Sequence, residues 1–130
     1  MKIVSDKTAE LQRRSEKARG LGGPDKVSAH KKAGKLTARE RLETLLDEDS
    51  FQELDLLRHT RSKDFGLADR ELPADGVVTG LGRIRGRNVC VYSQDFTVLG
   101  GSLGLAHAEK ICKVMDLAIE SGVPVVGLCD

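Results

Sequence analysis

The stretch Gln94-Asp-Phe-Thr-Val-Leu-Gly-Gly-Ser102 sets two adjacent glycines where a strand pattern gives way to a helix pattern. Glycines at such a corner take backbone conformations closed to other residues and bring N–H groups beside a helix N-terminus with no side chain in the way. A corner of that kind suits an anionic or carbonyl oxygen, so the chemistry within reach is the stabilisation of negative charge on oxygen. Gly100 and Gly101 equally meet the plainer need of a tight turn.

The elements that must position this corner can be read on either side of it. Upstream, Asn88-Val-Cys-Val-Tyr-Ser93 has the β-branched and aromatic density of a strand. Downstream, Leu105, Ala108, Ile111, Cys112, Met115, Ala118 and Ile119 recur at helical spacing and predict a helix from about Ser102 to Ser121. Gly122 followed by Val123-Pro124 ends it, and the apolar run from Val123 to Cys129 suits a strand buried on both faces. Strand, helix, strand then reads as a right-handed crossover in a largely parallel sheet. Further upstream, Gly76–Ile84 and Asn88–Ser93 form a hairpin about Arg85-Gly-Arg87, with Gly80 and Gly82 marking a bulge or a close backbone neighbour.

Thr37 with Glu40 three residues on is a capping box, opening a helix from about Ala38 to Asp47 that buries Leu42, Leu45 and Leu46. Phe51–Leu57 reads as extended and partly exposed, and Arg58–Leu72 as a long loop without regular pattern. Asp6–Arg19 predicts an exposed helix, ended by Gly20-Leu-Gly-Gly-Pro24, after which Asp25–Lys35 reads as a basic, weakly ordered linker.

The net charge of +1 conceals an uneven distribution: 12 Lys and Arg against 5 Asp and Glu up to Arg41, and 9 against 15 beyond it. A basic block can meet nucleic acid, a phosphate-bearing ligand or an acidic partner, or be a solvated face. The first aromatic residue is Phe51, so no stacking residue is interleaved with the basic ones and nucleic acid is not expected. No apolar run approaches the roughly 20 residues that span a membrane, and Met1-Lys-Ile-Val-Ser-Asp-Lys lacks a secretory core, which places the expectation in the cytoplasm. Cys90, Cys112 and Cys129 each sit on an apolar stretch and read as buried small hydrophobes; no metal site is expected. His30, His59 and His107 read as solvated or packed rather than as general bases, and no catalytic residue is assigned.

Several words of the sequence carry a resemblance: Gly34-Lys-Leu-Thr-Ala-Arg-Glu-Arg-Leu42, Leu45-Leu-Asp47, Asp75-Gly-Val-Val-Thr-Gly80 and Ser93-Gln-Asp-Phe-Thr-Val-Leu-Gly-Gly-Ser102. From about Gly34 to Asp130 the chain resembles the carboxyltransferase (β) chain of biotin-dependent acyl-CoA carboxylases. The resemblance is greatest to the propionyl-CoA carboxylase type, with the related transcarboxylase and methylmalonyl-CoA decarboxylase chains as alternatives. It implies an α/β, crotonase-like (ClpP/crotonase) spiral of strand-strand-helix turns, incomplete here. A basic helical arm and linker (1–33) would precede the start of the N-terminal carboxyltransferase domain (34–130).

The implied activity moves a carboxyl group between carboxybiotin, carried on a biotin carboxylase or biotin carrier partner subunit, and the α-carbon of a short acyl-CoA such as propionyl-CoA. The implied full-length protein is a homo-oligomer. By the same resemblance Gly100, Gly101 and Ser102 border the acyl-CoA pocket, and Phe96, Thr97 and Val98 line it. The basic residues Lys31, Lys32, Lys35, Arg39 and Arg41 would hold a CoA phosphate or an acidic subunit surface. In the family a Ser-Gly-Gly-Ala-Arg run follows the position of Asp130, and it and a later glycine run supply the thioester's oxyanion donors. A chain truncated before that run is expected to be inactive alone, or to serve as a non-catalytic fragment or subunit-interaction module. The third reading, a nucleotide-binding βαβ unit, lacks the full glycine fingerprint after a strand.

Overall fold

The computed structural model of the chain describes residues 2–130. At its centre is a four-stranded sheet in the order β1 (Gln52–Leu54), β2 (Val77–Ile84), β3 (Arg87–Gln94), β4 (Val125–Leu128). β2 and β3 form the hairpin, in unbroken register from Val77 opposite Gln94 to Ile84 opposite Arg87. Arg85 and Gly86 turn it at φ 50° and 77°, a doubly left-handed geometry whose twist matches that of the strands it joins. Asp47 holds this turn from outside: its carboxylate accepts the amides of Gly86 and Arg85 at 2.7 and 2.8 Å, and those bonds draw its pKa below the usual carboxylate range.

β3 and β4 run parallel and α4 (Leu105–Ser121) crosses between them. It stops at Gly122, left-handed at φ 64°, as the Gly-Val-Pro sequence requires. Its start is three residues later than the apolar spacing suggests, because Leu99–Gly101 close a short 3₁₀ turn of their own and Ser102–Gly104 stay irregular.

α1 (Lys2–Arg19) includes the expected N-terminal helix. The basic linker is not irregular: residues Pro24–Lys32 form α2, with proline in its first turn and His30, Lys31 and Lys32 at its last, where cations favour the helix's negative end. α3 (Ala38–Leu45) starts on the capping box, Thr37 Oγ1 accepting from Glu40 N at 3.2 Å and Glu40 Oε2 from Thr37 N at 2.9 Å. Lys31 Nζ and the Thr37 amide pull the Glu40 carboxyl down to about 2, so the box is intact at neutral pH and opens as pH falls from 4.5 towards 2. Thr37→Ala should cost about 1 kcal/mol, read as a lower urea midpoint with unchanged slope.

Each face of the sheet has its own apolar layer. On one, Leu42 and Leu46 pack with Leu21, Val78, Val89 and Val91; on the other, Val114 and Ala118 of α4 pack with Cys90 against Leu54, Leu81 and Val125. Gly80 and Gly82 are close-approach glycines, not bulges: a Cβ at Gly80 would lie 2.3 Å from Gln52 O, and one at Gly82 2.8 Å from Leu46. Two expectations are corrected here. Of the cysteines only Cys90 is buried; Cys112 and Cys129 are exposed. And α4 buries the row Ala106, Lys110, Val114 and Ala118 together with His107, while Leu105, Cys112, Met115 and Ile119 face outwards. The helix carries apolar residues on two faces, and the one turned to the sheet is centred on Val114 and Ala118, which pack with Cys90.

Candidate functional site

The loop that follows β3 and the residues that follow β4 leave the sheet at the same edge, outside the carboxyl ends of the parallel pair, where open α/β sheets place their ligands. The two segments touch. Asp130 N–H donates to Gln94 Oε1 at 3.3 Å, and a Cβ at Gly101 would lie 3.6 Å from Asp130 O. Phe96 is 47% exposed, stacks on the His30 ring at 5.8 Å, and has Lys35 Nζ 5.0 Å from its ring centre. Lys35 Nζ also bonds Asp130 Oδ1 at 2.9 Å, which holds that carboxyl below its usual range.

The structure therefore divides the six sequence-predicted site residues. Phe96, Gly100 and Gly101 share one face with Asp130; Ser102 lies on the other side, with Leu99 and Gly104, at a cavity of about 890 Å³ that reaches residues 57–62. Thr97 and Val98 are buried beneath the loop. Thr97 Oγ1 donates to Asp95 Oδ1 at 2.5 Å and accepts Gly22 N–H at 2.9 Å, tying the α1–α2 connection to the loop. Burial pushes the Asp95 carboxyl up, against the Thr97 bonds that pull it down. Thr97→Val should cost roughly 1–3 kcal/mol, because Asp95 loses its hydroxyl donor and Gly22 its acceptor. Faster limited proteolysis between residues 19 and 24 would report the released arm, and an unchanged cleavage rate would contradict the tie.

Gly100 and Gly101 are left-handed at φ 64° and 74°, conformations that glycine alone adopts without penalty. Their turn consumes its own donors: Gly101 N–H bonds Val98 O at 2.9 Å, and Ser102 N–H bonds Leu99 O at 3.2 Å. The glycine pair thus sits before the helix start rather than on it, and the cap position of α4 belongs to Gly104. These two amides form no ready cradle for an oxyanion or for the ureido oxygen of biotin, and no step through biotin is derived from this chain. What the glycines contribute is space and shape at the surface.

Beneath the loop lies an assembly that the apolar pattern of α4 hid. Ala74, Asp75 and Gly76 are three consecutive left-handed residues, at φ 52°, 50° and 73°. Such a run costs on the order of 1–2 kcal/mol per non-glycine residue and persists only when its surroundings hold it. Lys110, wholly buried, donates to Ala74 O at 2.9 Å and Val77 O at 2.5 Å. His107 Nδ1 lies 2.9 Å from Asp75 O; a carbonyl only accepts, so the ring carries its proton there, and burial keeps the imidazole neutral by lowering its pKa. The Asp75 carboxylate accepts His107 N–H at 2.8 Å and so caps α4 from 32 residues away. Gly104 makes room for it, since a Cβ there would lie 3.0 Å from Asp75 Oδ2. The turn in turn holds the loop: Gly76 O accepts Asp95 N–H at 2.8 Å, and Val98 packs over Gly76. The i, i+4 row 106, 110, 114, 118 was the available signal for Lys110, masked because lysine is rarely buried.

Residues 29–130 match the carboxyl transferase domain. The chain belongs to the carboxyl transferase domain family. The chain is 55% identical over 127 residues to the propionyl-CoA carboxylase beta chain of Cereibacter sphaeroides, covering 98% of itself and 25% of that protein. It is 53% identical over 127 residues to the biotin-dependent acetyl-/propionyl-coenzyme A carboxylase beta5 subunit of Mycobacterium tuberculosis, covering 98% and 23%. In structure it is similar to transcarboxylase 12S, a hexamer solved with methylmalonyl-coenzyme A and methylmalonic acid bound: TM-score 0.90, 41% identity, 95% of this chain and 24% of that one. The chain spans about a quarter of the length of these relatives, and its fold is theirs over that quarter: α/β, with a helical N-terminal region and a partial sheet of the crotonase-like carboxyltransferases. Among the described residues, no helix is long and apolar enough to cross a membrane.

Proposed function

We propose that this chain is the opening portion of an acyl-CoA carboxyltransferase of the propionyl-CoA carboxylase type. It would act in the cytoplasm, within a homo-oligomer served by a biotin-bearing carrier subunit. The observation that carries the reading is the 55% identity to a propionyl-CoA carboxylase beta chain over nearly the whole of this chain. Carboxyl transfer to an acyl-CoA requires loss of a proton from the α-carbon, which charges the thioester oxygen; biotin supplies the activated carboxyl group. Within residues 34–130 the contribution is positional. Phe96, Gly100 and Gly101 would border the acyl-CoA, with Ser102 on the side of the adjoining cavity. Thr97 and Val98 would act from beneath by fixing the turn. Residues 1–33 would clamp that turn through Gly22 and His30.

The test is a chimera in which residues 4–130 replace the matching quarter of the Cereibacter sphaeroides beta chain, paired with its partner subunits. Carboxylation of propionyl-CoA at a rate within about tenfold of the parent is expected, and none from the 130-residue chain alone. A folded, assembled chimera that turns over neither acetyl- nor propionyl-CoA would sink the reading.

One feature favours assembly as a second role. Leu105, Cys112, Met115 and Ile119 are exposed at spacings of seven, three and four on α4, a seam that a neighbouring helix could fill, and β4 is a free edge of the sheet. Light scattering on the isolated chain distinguishes the cases: a concentration-independent monomer with no partner in a pull-down counts against the interaction module.

A further inference from the structure

Four of the five basic residues that the sequence offers as phosphate ligands are already engaged. Lys31 pairs with Glu40, Lys35 with Asp130 and Arg39 with Glu53, the last through two bonds of 2.7 and 2.9 Å, while Arg41 bonds Cys129 O. These contacts gather at one place. His30 Nε2 lies 3.7 Å from Asp130 Oδ2, Lys35 Nζ 2.9 Å from Asp130 Oδ1 and Arg41 Nη1 3.3 Å from Cys129 O, so three side chains of residues 30–41 converge on the two residues that follow β4. The end of α2 explains how the first two come to act together. Gly34 is left-handed at φ 79° with its N–H on Lys31 O at 2.9 Å, and Lys35 N–H reaches back to His30 O at 3.3 Å. By this pair of bonds a glycine closes a helix, and it brings the side chain two positions past the cap beside one in the last turn. Here those side chains are Lys35 and His30, and both meet Phe96: the imidazole stacks on its ring at 5.8 Å with 25° between the planes, and the ammonium lies 5.0 Å from the ring centre. His30 Nε2 is 3.1 Å from Leu36 O; a carbonyl only accepts, so the ring carries its proton on that nitrogen and is fixed there.

We propose that Lys35 is a positioning residue for carboxyl transfer: with His30 beside it, its ammonium clasps Phe96, two residues past β3, to Asp130, two residues past β4, and so sets the width of the face on which Gly100 and Gly101 lie. The inference rests on the acyl-CoA reading above, which puts the reacting end of the substrate against that face. A single Nζ meets two groups that leave the sheet from different strands, an aromatic face and a carboxylate, and these are the two kinds of partner an ammonium binds best. A phosphate drawn to Lys35 would compete with Asp130 for the same cation. The Lys35 side chain is 50% exposed and that of Asp130 19%, so the pair adds little to stability and its contribution is geometric.

The experiment uses the chimera with Lys35→Met, and Lys26→Met, an exposed lysine on α2, as the control for lost charge. In Lys35→Met kcat should fall about tenfold or more for propionyl-CoA and equally for propionyl-pantetheine, which lacks the nucleotide, with KM within about twofold, because a displaced wall misplaces the reacting carbon without loosening the rest of the substrate. The thermal midpoint should stay within about 2 °C of the parent's, as for an exposed pair. Lys35→Arg, which keeps a cation for both partners, should recover at least about half of kcat. Asp130→Asn should lower kcat to a similar degree, and the double variant with Lys35→Met should be no worse than the poorer single, since both break one clasp. A rise in KM confined to propionyl-CoA would make Lys35 a phosphate ligand and overturn the clasp; so would an unchanged kcat, or a loss that follows the thermal midpoint. If the chimera with Lys35 intact turns over no acyl-CoA, it is the proposed function that fails, and the clasp is judged by amide exchange at Gly101 and Ser102, whose N–H groups bond Val98 O and Leu99 O, in the 130-residue chain. Exchange faster by about threefold or more in Lys35→Met than in Lys26→Met supports it, and equal rates overturn it.

Discussion

Lys110→Met should destabilise the chain by roughly 2–4 kcal/mol at pH 7, although the two side chains are nearly the same size. The methionine can fill the space but cannot donate, so Ala74 O and Val77 O lose a buried partner and the left-handed turn at residues 74–76 loses the group that pins it. The pH dependence separates this from a simple packing defect. Burial lowers the Lys110 pKa from 10.5 to about 8. A depressed lysine pKa means that the folded state resists the proton which the unfolded state still binds between pH 8 and 10.5. Stability contributed by this residue therefore rises with pH across that window, by about 3 kcal/mol at about 1.4 kcal/mol per pH unit. The neutral amine keeps two N–H bonds, enough for both carbonyls. Cys90 and Tyr92, whose pKa values burial raises, pull the other way, but they are common to both proteins and cancel in the difference. Urea midpoints from pH 8 to 10.5 should thus show the gap between wild type and Lys110→Met widening; a constant gap would mean that Lys110 is not a buried, titrating cation.

The second large effect is on activity. Gly101→Val in the chimera should lower kcat/KM for propionyl-CoA about a hundredfold or more, if this surface must meet the thioester end of the substrate. Space alone does not forbid a side chain: a Cβ would meet Asp130 O at 3.6 Å and Phe96 Cα at 3.9 Å, ordinary contacts. The φ of 74° makes the substitution strained by about 1–2 kcal/mol, and its branched end would stand over the face shared by Phe96 and Asp130. Gly122 provides the control. It is left-handed at φ 64° with nothing within 4 Å, so Gly122→Val carries the same backbone strain at the far end of α4. Thermal midpoints of the two variants should fall by similar amounts, and only Gly101→Val should lose activity at temperatures where both are folded. Parallel losses of activity would reduce Gly101 to a structural glycine.

Where the sequence was legible, one element carried its own signal. The Thr37–Glu40 box, the Gly122 stop of α4 and the β2–β3 hairpin each depend on residues within a few positions of one another, and each is found where those residues place it. The parallel pairing of β3 with β4 followed from the same kind of reading, but the expected largely parallel sheet did not: β1–β2 and β2–β3 are antiparallel, and β4 is a half-exposed edge strand rather than one buried on both faces. The Gln94–Ser102 loop was likewise found from its glycines and from the change of period on either side. The basic segment after Pro24 misled because its amphipathic signal is faint; His30 supplies the buried contact, and a histidine in a run of lysines does not announce that it will be packed.

What tertiary structure alone decided are the contacts made by residues far apart in the chain. Asp75 caps α4 across 32 residues, and Lys110 holds a turn 33 to 36 residues before it. Gly22 is clamped to Thr97 across 75, and Lys35 reaches Asp130 across 95. Local pattern could rank α4 as a helix but not choose between its two apolar faces, because that choice depends on which side chains meet those of β2 and β3 across the sheet. Charge counting could mark the front of the chain as basic but not tell which cations are already spent, since an ion pair is a statement about distance and not about order. The sequence by itself determined the family, the loop and the elements other than α2. Folding decided which residues of the loop are exposed and which lie buried beneath it, and which cations are held in ion pairs.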